Sequence, residues 1–266
     1  MDERPIGVFD SGVGGLSVLR AIRGELPSER LIYVADSGYA PYGDRARDYI
    51  ERRAVAVVEF LIDAGVKAVV VACNTATGAA VHVLRARFDI PIVAMEPAVK
   101  PAAHQTKSGV VGVLATTSTL SSAKFLDLVD RHGGGAQVLV QPCPGLVEQV
   151  EAGEFDSART TALVEKLVRP LLARGADTLV LGCTHYPFLR PAIEAVAGPD
   201  VTVIDPASAV ARELRRRLET EHLLASPDGE GHEEFWTSGP IESVSAVIGQ
   251  LWSHRVRVRE MPRSVS

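Results

Sequence analysis

Short runs of aliphatic and β-branched residues punctuate the chain at IGVF (6–9), LIYVA (31–35), AVVVA (68–72), IPIVAM (90–95), GVVGVL (109–114), QVLVQ (137–141), DTLVLG (177–182) and VTVI (201–204). Each is separated from the next by a stretch long enough for a helix. Near-continuous apolar strands spaced in this way predict parallel sheets covered by helices on both faces. The expected fold class is α/β. Beyond the last of these runs, residues 208–221 predict a helix, EFWTSG (234–239) a strand ending in a turn, and PIESVSAVIGQLW (240–252) a helix with Pro at its start. The polar, Gly- and Pro-bearing LASPDGEGHEE (224–234) reads as a loop, and the final MPRSVS as disordered.

The pattern also repeats with a long period. AGVKAVVVACNT (64–75) lies over ARGADTLVLGCTH (173–185) at a shift of 110 positions, which pairs Gly65 with Gly175 and Cys73 with Cys183. IGVFDS (6–11) pairs with VGVLAT (111–116) at 105, and Glu96-Pro97-Ala98 with Asp205-Pro206-Ala207 at 109. Several segments in one order, with offsets differing only by loop-sized amounts, imply two pseudo-symmetric α/β domains with mainly parallel sheets. EPAVKPAAHQ (96–105) interrupts the pattern, so one domain is expected over 1–98 plus 208–266 and the other over 99–207.

Composition narrows the function. The chain has 266 residues, 46% of them hydrophobic, enough for two sizeable cores, and its formal net charge of −5 lacks the basic excess of a nucleic-acid partner. No apolar run approaches the roughly 20 residues that span a bilayer, and MDERPIGVFD has no apolar core of a leader peptide, so a soluble cytoplasmic protein without membrane partners is expected. The three cysteines (Cys73, Cys143, Cys183) are far apart and form no CxxC pair, which argues against a disulfide framework and against a metal site.

Ligands of open α/β sheets bind outside the carboxyl ends of the strands. Cys73 and Cys183 each follow an apolar strand directly, as do Asp10 and Ser11 after IGVF. Two pseudo-symmetric halves facing one another would set the two thiols on opposite sides of one ligand. Inverting a tetrahedral carbon by proton transfer needs a base on one face and an acid on the other, with roles exchanged for the reverse reaction. A thiol, with an ordinary pKa of about 8.5 that its surroundings lower, suits both roles, and no cofactor is then obligatory. The plainer alternative is that both are buried core cysteines. Their equivalence in the repeat favours function, whereas Cys143, in PCPGL, has no counterpart and reads as structural.

The segments GVFDSGVGGLSVL (7–19), ADSGYAPYGDR (35–45), ACNTAT (72–77), GVLATTSTL (112–120), CPGLVEQVE (143–151), GCTHYP (182–187) and IDPA (204–207) together resemble the glutamate racemase family over most of the chain. The resemblance implies an active site in the cleft between two domains and cofactor-independent interconversion of L- and D-glutamate. It makes Cys73 and Cys183 the catalytic pair, and Asp10, Ser11, Tyr42, Gly43, Asn74, Thr75, Thr184 and His185 the residues that bind substrate or support the thiols. The residues themselves agree: Asn74, Thr75 and Thr184 carry short hydrogen-bonding side chains, and Asp10 and His185 are able to tune a nearby thiol.

Plainer readings stand beside each assignment. Asp10-Ser11 before GVGG also reads as the start of a strand-to-helix turn or a weak phosphate loop, and Tyr42-Gly43 after Pro41 as an ordinary turn. His185 also reads as a capping or packing histidine. The resemblance points to Glu148 as a supporting carboxylate, although a helical Glu is ordinarily a solvated face. Thr116, Thr117 and Thr119 occupy the loop equivalent to Asp10-Ser11, where threonines also serve as caps. Family members are commonly dimers, so a homodimer with glutamate as its small-molecule partner is expected. Three competing readings are an aspartate-type racemase, a redox thiol protein and a non-catalytic amino-acid-binding module. A redox pair wants a resolving cysteine nearby, and a binding module has no use for two matched thiols.

Overall fold

A computed structural model describes residues 1–252 and 256–262. Strands β1 (Ile6–Asp10), β2 (Leu31–Ala35), β3 (Ala68–Val71) and β4 (Ile92–Ala94) lie side by side in the order β2-β1-β3-β4. In a second sheet, β5 (Val110–Ala115), β6 (Gln137–Pro142), β7 (Thr178–Leu181) and β8 (Thr202–Ile204) take the order β6-β5-β7-β8. The two orders are the same. Every pairing is parallel, so each connection is a crossover carrying a helix.

The inner strands explain why the apolar runs are unbroken. β1, β2, β3 and β7 are buried at every residue, and a strand covered on both faces has no polar side to alternate with. The edges differ from the expectation of full cover. Only Leu139 of β6 is buried, and Val140 stands 51% exposed on it.

Helices α1 (Leu16–Glu25), α2 (Arg47–Asp63) and α3 (Asn74–Arg87) alternate with the first strands. EPAVKPAAHQ, where the run of strands is interrupted, lies between β4 of the first sheet and β5 of the second and holds helix α4 (Val99–Gln105), with Pro101 in the first turn, where its missing N–H has no partner to lose. The second half continues with α5 (Thr117–Ser121), α6 (Ala123–His132), α7 (Leu146–Glu151), α8 (Ala158–Ala173) and α9 (Arg190–Ala197).

The chain then returns to the first sheet. α10 (Ala207–Thr220) packs along α1, burying Val210, Ala211, Leu214 and Leu218. Strand β9 (Glu233–Thr237) joins the edge of β2, helix α11 (Ile241–Trp252) packs against α1, and β10 (Val258–Glu260) extends the sheet beyond β9. β10 was not expected from the sequence, and the start of MPRSVS is ordered. Met261 is buried, and its N–H donates to the Thr237 carbonyl at 2.8 Å. Residues 263–266 of that segment lie outside the described residues. No described helix is long and apolar enough to cross a membrane.

The largest buried apolar cluster runs from Ile6 and Tyr33 in the first sheet through Leu114 and Leu181 in the second. The carboxyl ends of both sheets are therefore held in one packed body.

Candidate active site

Cys73 stands two residues past β3 and caps α3. Its extended backbone (φ −132°, ψ 120°) turns the sulfur back toward the first helical turn, where it accepts from the Ala76 N–H at 3.4 Å. The thiol in turn donates to Ser11 Oγ at 3.6 Å. Burial pushes this thiol well above the ordinary range, and the Asp10 carboxylate adds to the shift, while the Ala76 and Ser11 contacts oppose it.

Cys183 occupies the matching position after β7 but meets different partners. No helix begins there. Instead the chain passes through Thr184 and His185 into a short 3-10 turn, Tyr186–Leu189, and His185 Nδ1 approaches the Cys183 sulfur at 3.6 Å. On its other side, His185 Nε2 lies 2.6 Å from Glu151 Oε1. Burial, the largest influence, opposes a charged imidazole, but hydrogen bonds to Cys183 and Glu151 and their negative charge outweigh it and hold His185 well above its ordinary value. The imidazole thus faces the Cys183 sulfur with the Glu151 carboxylate behind it.

Asp10 joins the two sides. Its Oδ2 accepts from the Gly15 and Gly12 N–H groups at 3.0 and 3.3 Å, and its Oδ1 from the Thr184 hydroxyl at 3.4 Å. Fully buried, it is pushed up by desolvation and by the Glu151 charge, against the pull of His185. The adjoining glycines acquire a physical reason here. A Cβ on Gly12 would strike the Glu151 carboxylate, and one on Gly14 the imidazole of His185. The GVGG turn is a bare backbone seat for the His185–Glu151 pair, and the Val13 N–H donates to the same Glu151 oxygen at 2.7 Å.

The remaining expected residues divide into two groups. Thr75 Oγ1 lies 2.9 Å from Thr116 Oγ1 and 3.2 Å from Thr119 Oγ1, which bridges the halves beside Cys73. The Thr116 hydroxyl also caps α5 by accepting from the Thr119 N–H. Asn74 is 4% exposed, yet neither atom of its side-chain amide has a partner among the described residues, so a buried donor and acceptor remain for a ligand. Gly43 rests against Thr116, and its carbonyl accepts from Ser118 Oγ. Tyr42 turns away: its hydroxyl donates to buried Asp36, whose other oxygen receives Arg53 Nη2 at 2.8 Å. What Tyr42 offers the site is the fixed path of its backbone.

Two features were not read from the sequence. The carboxylate that touches His185 belongs to Glu151, whereas Glu148 is exposed on the rim of a small cavity beside Asp44 and Gly43. Helical phase makes the difference, since Glu151 shares a face with buried Val147 four residues earlier, and Glu148 does not. The other is the Asp36–Arg53 pair that holds the Tyr42 turn. Cys143 is buried, its thiol donates to the Gln141 carbonyl at 3.2 Å, and burial together with the Cys183 charge pushes it up to about 12. That is the setting of a structural cysteine.

Known proteins resemble this chain over nearly its whole length. The Asp/Glu/hydantoin racemase family matches residues 15–214. A glutamate racemase from Methylococcus capsulatus is 58% identical over 98% of this chain and 96% of its own. Among solved structures, a glutamate racemase isoform from Bacillus anthracis superposes with a TM-score of 0.89 at 34% identity, covering all of both chains. A glutamate racemase from Francisella tularensis, solved in complex with D-glutamate, does so at 0.85 and 28% identity over 98% of each.

Proposed function

The chain belongs to the Asp/Glu/hydantoin racemase family, and on that premise we propose that it interconverts L- and D-glutamate, with Cys73 and Cys183 as the acid/base pair on opposite faces of the α-carbon. The observation that carries this reading is the pair of equivalent strand-end thiols, each with its own proton-handling partner. For one enantiomer the sulfur of Cys183, facing the His185 imidazole, takes the α-proton while Cys73 delivers one to the other face. For the mirror substrate the roles exchange. Burial of both thiols keeps bulk water from quenching the intermediate and strengthens each charge interaction in the site. Asn74, Thr75 and Thr184 offer hydrogen bonds to the substrate's ammonium and carboxylates, Ser11 and Asp10 order the Cys73 side, and the Tyr42-Gly43 turn closes over the ligand. No cofactor or metal takes part.

On the same reading, residues 1–98 with 208–266 and residues 99–207 form two domains around the cleft, and the protein works in the cytoplasm as a homodimer supplying D-glutamate for peptidoglycan.

Cys73→Ser and Cys183→Ser test the mechanism. Each substitutes a much weaker acid of similar shape, so racemisation in both directions falls by about 10²- to 10⁴-fold. In heavy water each variant keeps one thiol and exchanges the α-proton of only one enantiomer, with opposite preference in the two variants. Racemisation by either at close to the unmodified rate would overturn the two-thiol assignment. Aspartate, assayed alongside, leaves the groups that hold the distal carboxylate unpaired, and comparable turnover would move the reading to an aspartate-type racemase.

A further inference from the structure

Two cavities flank the Tyr42-Gly43 turn, and they differ in charge. The larger, about 290 Å³, is lined by Arg45, Arg47, Ser118, Ser121 and Ser122, with Thr75 among its walls and no carboxylate among its lining residues. Its size is just below the usual range of about 300 to 1,000 Å³ for small-molecule sites. The smaller, about 30 Å³, has Asp44 and Glu148 on its rim and no cation. Between them, Ser118 Oγ holds the Gly43 carbonyl, and Thr75 and Thr116 meet across the halves. Thr75, two residues past Cys73, ties this wall of the larger cavity to the Cys73 side of the site.

The cation in the larger cavity is concentrated on one residue. Arg47 is committed to Glu51 at 2.8 Å and faces His82 at 3.0 Å. Arg45 lies over the Tyr49 ring with its guanidinium carbon 5.3 Å from the centroid, and no salt bridge engages it among the described residues. The chain as a whole carries −5, so an anion approaching at random meets repulsion over most of the surface and attraction at a patch like this one.

We propose that the cavity lined by Arg45 and the three serines is the vestibule where the anionic amino acid is captured before it passes the Gly43 closure, and that Arg45 is the capture residue. This rests on the glutamate reading, because a neutral amino acid would gain nothing from the charge. Capture acts on the approach to the thiols and leaves the proton transfers untouched. The two enantiomers are mirror images with an equilibrium constant of one, so any loss in kcat/KM falls equally on both.

The test is the kinetics of L- and D-glutamate racemisation by Arg45→Glu and Arg45→Lys at about 0.01 M and about 1 M ionic strength, where the screening length falls from roughly 30 to 3 Å. Arg216→Glu, the same charge change on the exposed side of α10, serves as the control. At low salt Arg45→Glu should lower kcat/KM by about three- to tenfold through KM with kcat unchanged, and high salt should erase the difference. Arg45→Lys should restore most of the loss. Inorganic phosphate should compete weakly with glutamate, and less so in Arg45→Glu. An equal effect from Arg216→Glu, a loss confined to kcat, non-competitive inhibition by phosphate, or no effect of Arg45→Glu would each overturn the vestibule. Failure of the unmodified protein to racemise glutamate would instead overturn the reading on which the vestibule rests.

Discussion

The two thiols occupy equivalent places on equivalent strands, yet their surroundings are built from different materials. Cys73 caps a helix of 14 residues and relies on a backbone N–H, a serine hydroxyl and the nearby Asp10. Cys183 is followed by a 3-10 turn that provides no such helix, and its partner is an imidazole backed by a carboxylate. A repeated topology thus fixes where two groups stand without fixing how they are supported. The second support spans the molecule: His185 comes from the second sheet, Glu151 from α7, and the glycine seat from the first half.

The largest break in this comparison comes from the seat. Gly14→Ala drives a methyl group into the His185 ring, and the loss of kcat/KM should match that of His185→Ala, about 10²-fold, because small misplacements of a catalytic group are that costly. Near-normal activity in Gly14→Ala would show that His185 has room to move. Glu151→Gln is milder, about tenfold, and informative in its pH profile. Removing the carboxylate charge lets the imidazole titrate lower, so the alkaline limb of kcat/KM that follows His185 moves toward acid. The sign for stability is the same: the pair contributes fully below about pH 6.5, the ordinary imidazole value, and loses its contribution as pH rises through the elevated His185 value. A profile that does not move would detach Glu151 from His185.

Ser11→Ala tests the Cys73 side and should cost only about two- to fivefold, since the Ala76 N–H contact remains and a 3.6 Å thiol contact is weak. A loss exceeding that of Glu151→Gln would reverse the ranking of the two supports. Smallest in activity is Cys143→Ala, expected within about twofold of the unmodified enzyme. Its effect belongs to thermal unfolding, with about 1 kcal/mol lost from a buried sulfur.

The strands were legible because central parallel strands are apolar on both sides, so their runs stand out without any knowledge of neighbours. β10 was not, because VRVRE alternates as an edge does and follows a helix with little to mark the change. α4 was obscured by Pro101, which matters only in a helix interior. In the site, strand-end position and the repeat brought Cys73 and Cys183 forward. Glu151 escaped because choosing between two glutamates on one helix requires the phase of that helix against His185. The direction of the Tyr42 hydroxyl and the reason for Gly12 and Gly14 likewise depend on Asp36, Glu151 and His185, residues the local sequence does not reveal.

The two sheets also part company at one edge. β6 is left bare, while the equivalent β2 is covered by β9 and β10, which the ribosome makes after everything they cover. The second sheet has all its strands once β8 emerges, but the first still shows an open LIYVA edge, fully apolar and ready to pair with another chain. Newborn chains halted before residue 233 therefore carry the aggregation hazard of this fold, and a chaperone that shields exposed strands would be needed most until the last few seconds of synthesis, when β9 has yet to arrive.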